Sequence, residues 1–134
     1  MKYSATKVGI GTVRGSMGAW TFYRSAAGGL TVSDEITALL PKAGKIKLGA
    51  LLQRIENGET LRGDVRPLTS EIDEARLTWD GQEFRLYFAR LADEGQSVLL
   101  GLRAVNKKRQ KAAVSDIRTS EARLQDWKSR KPST

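Results

Sequence analysis

The sequence predicts an α+β fold, an antiparallel sheet with helices packed on one face. Three observations carry that prediction. Two alternating segments meet at Asp80-Gly81, apolar residues recur at helical spacing on either side of them, and glycine, proline or polar turns separate the periodic stretches. The order that results is strand, two helices, three-strand meander and C-terminal helix.

Residues 1–18 are rich in Gly, Ser and Thr and read as a flexible or accessory N-terminal arm. Gly9, Gly11 and Gly15 lack both the spacing and the strand-then-helix setting of a phosphate loop. Trp20 to Tyr23 reads as a strand ended by Gly28-Gly29. Thr31 or Ser33 is suited to cap the next helix, with Asp34 and Glu35 at the positive end of its dipole. Ile36, Leu39 and Leu40 give that helix its apolar face, and Pro41 follows. A second helix is expected from Lys45 to Asn57, where Leu48, Leu51, Leu52 and Ile55 share a stripe and Gly58 is placed to cap the C-terminus. Gly63 to Ser70, with Arg66 and Pro67, reads as a connector.

The hairpin follows. Ala75, Leu77 and Trp79 alternate with polar residues in its first strand, as do Phe84, Leu86 and Phe88 in its second. A two-residue Asp-Gly loop favours a type I′ turn and fixes the register: Trp79 opposite Gln82, Leu77 opposite Phe84, Arg76 opposite Arg85, Glu74 opposite Tyr87. One face is then apolar. The other sets Arg76 against Arg85, an opposition of like charges that weakens a hairpin by up to about 1 kcal/mol. Either neighbouring glutamates offset the repulsion or an anion occupies the space between the arginines. A third strand spans Ser97 to about Val105, and its Val98-Leu99-Leu100 run leaves the direction of Arg103 open. Arg103, Lys107, Lys108, Arg109 and Lys111 form a basic run before a helix from about Ala113 to Trp127. The main domain is set at 19–128, with 129–134 as a disordered tail.

With 134 residues the chain is long enough for one domain with a real core. It contains no apolar run fit to cross a membrane and no signal-peptide pattern, so a cytoplasmic protein without membrane association is expected. Cysteine and histidine are both absent, which removes disulfides, thiolate metal sites and the commonest general base. The carboxylates lack a ligand-like spacing, so neither a metal nor a cofactor is expected. Lys+Arg 23 against Asp+Glu 15 gives a net charge of +8, which suits a polyanionic partner, by default nucleic acid.

From Trp20 to Trp127 the sequence resembles the HigB-like, phage-derived branch of the RelE/ParE toxin superfamily. Trp20 to Arg24 and Val32 to Ile36 are similar to that branch's opening strand and first helix, and Gly63 to Leu68 to the segment before its hairpin. Phe84 to Phe88 with Val98 to Leu100 resembles its hairpin core. The most specific segment is Asn106 to Lys111 with Asp116-Ile117, Arg123-Leu124 and Asp126-Trp127, similar to the branch's Lys-Lys-Thr-Gln-Lys motif and closing helix. The chain departs from the pattern where Arg103 stands in place of a frequent histidine and Ala112-Ala113 in place of Thr-Pro.

The resemblance implies a RelE-like fold and a toxin paired with a helix-turn-helix antitoxin. It also implies a ribosome-dependent endoribonuclease that cuts mRNA. Carried over by position, Arg76 and Arg85 become a phosphate clamp, since guanidinium forks bind phosphate bidentately and stay charged. By their place on the same sheet face Tyr87 and Glu74 are candidate proton carriers, as is a desolvated lysine near Lys107, with the Tyr87 pKa lowered by its cationic neighbours. Arg66, Arg103, Lys107, Lys108, Arg109 and Lys111 are the candidate RNA contacts, to rRNA as well as mRNA. Spacing alone favours a different reading of Glu74, Glu83, Arg76 and Arg85, an exposed cross-strand ion network. The alternative function is a non-enzymatic toxin or phage-type interaction protein that binds gyrase or nucleic acid without cutting RNA.

Overall fold

The computed structural model describes residues 19–93, 95–107 and 113–130. The elements in chain order are β1 (Ala19–Phe22), α1 (Thr31–Leu39), α2 (Lys42–Asn57), β2 (Val65–Pro67), β3 (Asp73–Trp79), β4 (Gln82–Asp93), β5 (Gln96–Lys107) and α3 (Val114–Arg130). They build an α+β molecule on one five-stranded sheet in the order β1-β5-β4-β3-β2. Among the described residues no helix is long and apolar enough to cross a membrane.

The hairpin has the expected register throughout, from Trp79 opposite Gln82 to Glu74 opposite Tyr87. Its turn residues Asp80 (φ 50) and Gly81 (φ 74) are both left-handed, which matches the right-handed twist of the flanking strands. Three expectations need correction. The connector contains β2, which pairs antiparallel to β3 at the sheet edge. Three residues carry too little alternation to signal a strand, and Pro67 is tolerated because an edge strand has no outer ladder to serve. The sheet is mixed, since β1 runs parallel to β5. Neither Thr31 nor Ser33 caps α1, whose N-cap is Leu30 without a side-chain hydrogen bond. Thr31 Oγ1 instead accepts from the Ser25 amide at 3.2 Å.

The core lies chiefly between the sheet and the α1–α2 layer. Trp20 Nε1 donates to the Leu52 carbonyl at 2.9 Å, seating β1 on α2, and its ring lies 5.1 Å from that of Phe88. Gly44 brings α2 close to the sheet, because a Cβ there would stand 3.2 Å from the Trp79 indole nitrogen. Gly58, with φ 71, closes α2 as its left-handed cap.

The opposite face is not open. Phe84 through Ala89 are all buried, although successive residues of a strand point to opposite sides. α3 covers the second side at β5, where its Asp116 pairs with Arg103 and Lys107. The expectation of helices on one face alone therefore fails. Burial of polar side chains hid the second layer, since Arg85 and Tyr87 read as surface residues in an alternating strand.

Candidate nucleic-acid interface

Cross-strand pairing lays the charged residues of this second face in rows. Arg66, Glu74, Tyr87 and Arg103 face one another in turn across β2, β3, β4 and β5. The next row holds Arg76, Arg85 and Val105, and the one after it Thr78, Glu83 and Lys107. At about 4.8 Å between strands, Arg66 and Arg103 mark the two sides of a band roughly 14 Å wide.

Arg103 reaches this face through a β-bulge. Tyr87 pairs with Arg103 while Phe88 pairs with Gly101, so Leu102 is left without a cross-strand partner. Strict alternation would put Arg103 on the side of Gly101. The extra residue turns it to the side of Tyr87 instead, a common use of a bulge. No local sequence signal marks an inserted residue, and the Val98-Leu99-Leu100 run, apolar on both sides, already leaves the direction of Arg103 open.

Glu74 organises the centre. It is fully buried, and its Oε2 accepts from Arg85 Nη1 at 3.0 Å. Its Oε1 lies 3.2 Å from Arg66 Nη2 and 3.9 Å from Arg76 Nε. Arg85 is buried as well, with Nη2 3.9 Å from Glu83. The opposed arginines are thus reconciled by a carboxylate of the protein, held in a buried network rather than the exposed one expected from spacing. Removal of two such charges from water costs several kcal/mol each, which the 3.0 Å contact between Arg85 and Glu74 offsets in part.

Burial changes the roles assigned to three residues. Arg85, Glu74 and Tyr87 are each 0% exposed, so none of them meets RNA in this conformation. Burial and the charges of Glu74 and Asp116 raise the Tyr87 pKa against the opposing pull of Arg85 and Arg66. The lowered pKa expected from its cationic neighbours is therefore corrected: the phenol stays protonated at neutral pH. The accessible cations are others. The side chains of Arg66, Arg76, Arg103 and Lys107 are 36%, 26%, 32% and 14% exposed. Lys108, Arg109 and Lys111 lie outside the described residues, as do the N-terminal arm and most of the tail.

Two helical carboxylates complete the site. Asp116 of α3 binds Arg103 Nε at 3.4 Å and Lys107 Nζ, and Glu35 of α1 accepts from Arg103 Nη1 at 2.9 Å. Glu35 had suggested only a helix-dipole residue, because nothing local ties it to a strand 69 positions away. Among the described residues no group of three or more carboxylates is placed to hold a metal ion.

No protein-family model matches the chain. Two curated relatives do, each named "Probable endoribonuclease HigB1", from Mycobacterium tuberculosis strains CDC 1551 / Oshkosh and ATCC 25618 / H37Rv. Each is 29% identical over 113 residues, spanning 84% of this chain and 87% of the relative. The chain is similar to these HigB1 proteins over most of its length. The α+β sheet is compatible with the RelE-like fold of that superfamily.

Proposed function

We propose that the chain is the toxin of a type II toxin–antitoxin pair with a RelE-like fold. In this reading it is a ribosome-dependent endoribonuclease that acts on mRNA in the cytoplasm. The band of partly exposed cations, Arg66, Arg76, Arg103 and Lys107, carries this reading, and the name of the HigB1 relatives supports it.

RNA supplies its own nucleophile. A 2′-hydroxyl loses its proton and bonds to the adjacent phosphorus, the bond to the 5′ oxygen breaks, and that oxygen takes up a proton. The products are a 2′,3′-cyclic phosphate and a 5′-hydroxyl end, and the reaction needs no metal. The cations stabilise charge that grows on the phosphoryl oxygens, and preorganised charge of this kind is often the largest catalytic term. Arg76 and Arg103 are best placed for the phosphate, with Arg85 and Glu74 beneath them as the fixed frame. Lys107, with Lys108, Arg109 and Lys111 beyond it, serves contacts to mRNA and rRNA. A helix-turn-helix antitoxin is the expected protein partner.

One observation favours a second reading, a non-enzymatic toxin or interaction protein that binds gyrase or nucleic acid: Tyr87 and Glu74, the proposed proton carriers, are buried. Induction of the chain in bacteria, with RNA 5′ ends mapped and supercoiling followed, separates the two. Codon-phased cuts with 5′-hydroxyl ends support the endoribonuclease. Intact mRNA with arrested supercoiling supports a gyrase-binding toxin.

A further inference from the structure

β1 accompanies β5 only as far as Gly101. Among the described residues no strand lies beside the outer edge of β5 from Leu102 onward, and the bulge lies at this point. Two side chains from different helices occupy the edge. Glu35 Oε1 accepts from the Ala104 amide at 2.9 Å, and Arg123 Nη1 donates to the Leu102 carbonyl at 2.8 Å. Glu35 Oε2 joins them, 2.9 Å from Arg123 Nη2 and 2.9 Å from Arg103 Nη1. One carboxylate and one guanidinium thus provide the acceptor and the donor that a neighbouring strand would provide, on either side of Arg103.

We propose that Glu35 and Arg123 form a clamp that replaces the missing strand at the bulge and holds Arg103 on the RNA-facing side of the sheet. Glu35 is in this sense a positioning residue, acting through Arg103 rather than on RNA. The assignment of Arg103 to RNA rests on the proposed function; the clamp itself rests on the hydrogen bonds. A surface ion pair alone contributes little. Glu35 differs because it binds the backbone amide as well as both arginines, so its loss frees the bulge and the side chain that the bulge aims. Misplacement of a charged group by about 1 Å can lower a rate about 100-fold.

The test uses Glu35→Ala and Glu35→Gln in the full chain, read by hydrogen exchange of the Ala104 amide and by mRNA cleavage on ribosomes. In Glu35→Ala, Ala104 is expected to exchange at least about tenfold faster and kcat to fall about 10- to 100-fold, with a smaller change in KM. Arg103→Ala is expected to cause a similar loss, and the double variant no further one, as for two residues that act through a single contact. Unchanged Ala104 protection, or losses that multiply, would overturn the clamp. If Glu35→Ala does not fold, Glu35→Gln decides: it keeps an acceptor for Ala104 and is expected to retain amide protection while losing several-fold in kcat. Full activity in a folded Glu35→Gln would count against the positioning role. If the wild-type protein cuts no RNA, the proposed function fails, and Ala104 exchange alone decides whether the clamp exists.

Discussion

Glu74 is the residue on which the sheet's second face depends. Its carboxylate faces three arginines, and one of them, Arg85, is fully buried. Glu74→Ala removes the carboxylate 3.0 Å from that buried guanidinium and is expected to cost about 3–5 kcal/mol in urea unfolding, the range found when one member of a buried pair is removed. A loss under about 1 kcal/mol would show that Arg85 is compensated elsewhere. Tyr87 adds a pH dependence. Its folded pKa is raised above the unfolded value of about 10, so its contribution to stability is complete below pH 10 and is lost as pH climbs past it. The Tyr23 phenol is also raised, chiefly by its hydrogen bond to Asp126, so an absorbance titration of the folded protein should show a late phenolate step that Tyr87→Phe lacks and Tyr23→Phe keeps. Ionisation of Tyr87 at or below pH 10 would contradict the burial described. The pairing of these two residues was legible and their burial was not, because spacing gives register and not depth.

At the scale of the element, legibility followed the strength of local chemistry. The β3–β4 hairpin was readable residue by residue, since strict alternation and an Asp-Gly turn admit one register. α2 was readable as well, although it starts at Lys42 because Pro41, extended at its N-cap, begins rather than interrupts it. β2 and the bulge were not, since one is three residues long and the other is a mismatch between strands. Gly101 illustrates how closely these strands approach. A Cβ there would stand 2.6 Å from Phe22 Cδ1, across the parallel β1–β5 pair. Gly101→Ala is expected to destabilise by about 1–3 kcal/mol in chemical denaturation, as overpacking does. Phe22→Leu in the same chain should return part of the loss, and additive losses would show that Phe22 is not the obstacle.

For the whole molecule, the excess of positive charge pointed to a polyanion and the resemblance to RNA, but the fold decides which charges can serve. Arg85 was the most obvious cation of the hairpin and lies buried, whereas Arg66 sits on an edge strand that the sequence concealed. α3 and α1 contribute Asp116 and Glu35 to the site from distant parts of the chain, an arrangement that only tertiary packing could reveal. In the proposed function the partly exposed arginines around the buried Glu74–Arg85 pair act on the phosphate of ribosome-bound mRNA. The most direct test is cleavage of mRNA on programmed ribosomes by the wild-type protein and by the double variant Arg76→Gln, Arg103→Gln, both checked to be folded. The account predicts cuts with 5′-hydroxyl ends for the wild type and a rate lowered about 100-fold or more for the variant. Equal cleavage by both proteins, or intact mRNA with the folded wild type, would contradict it.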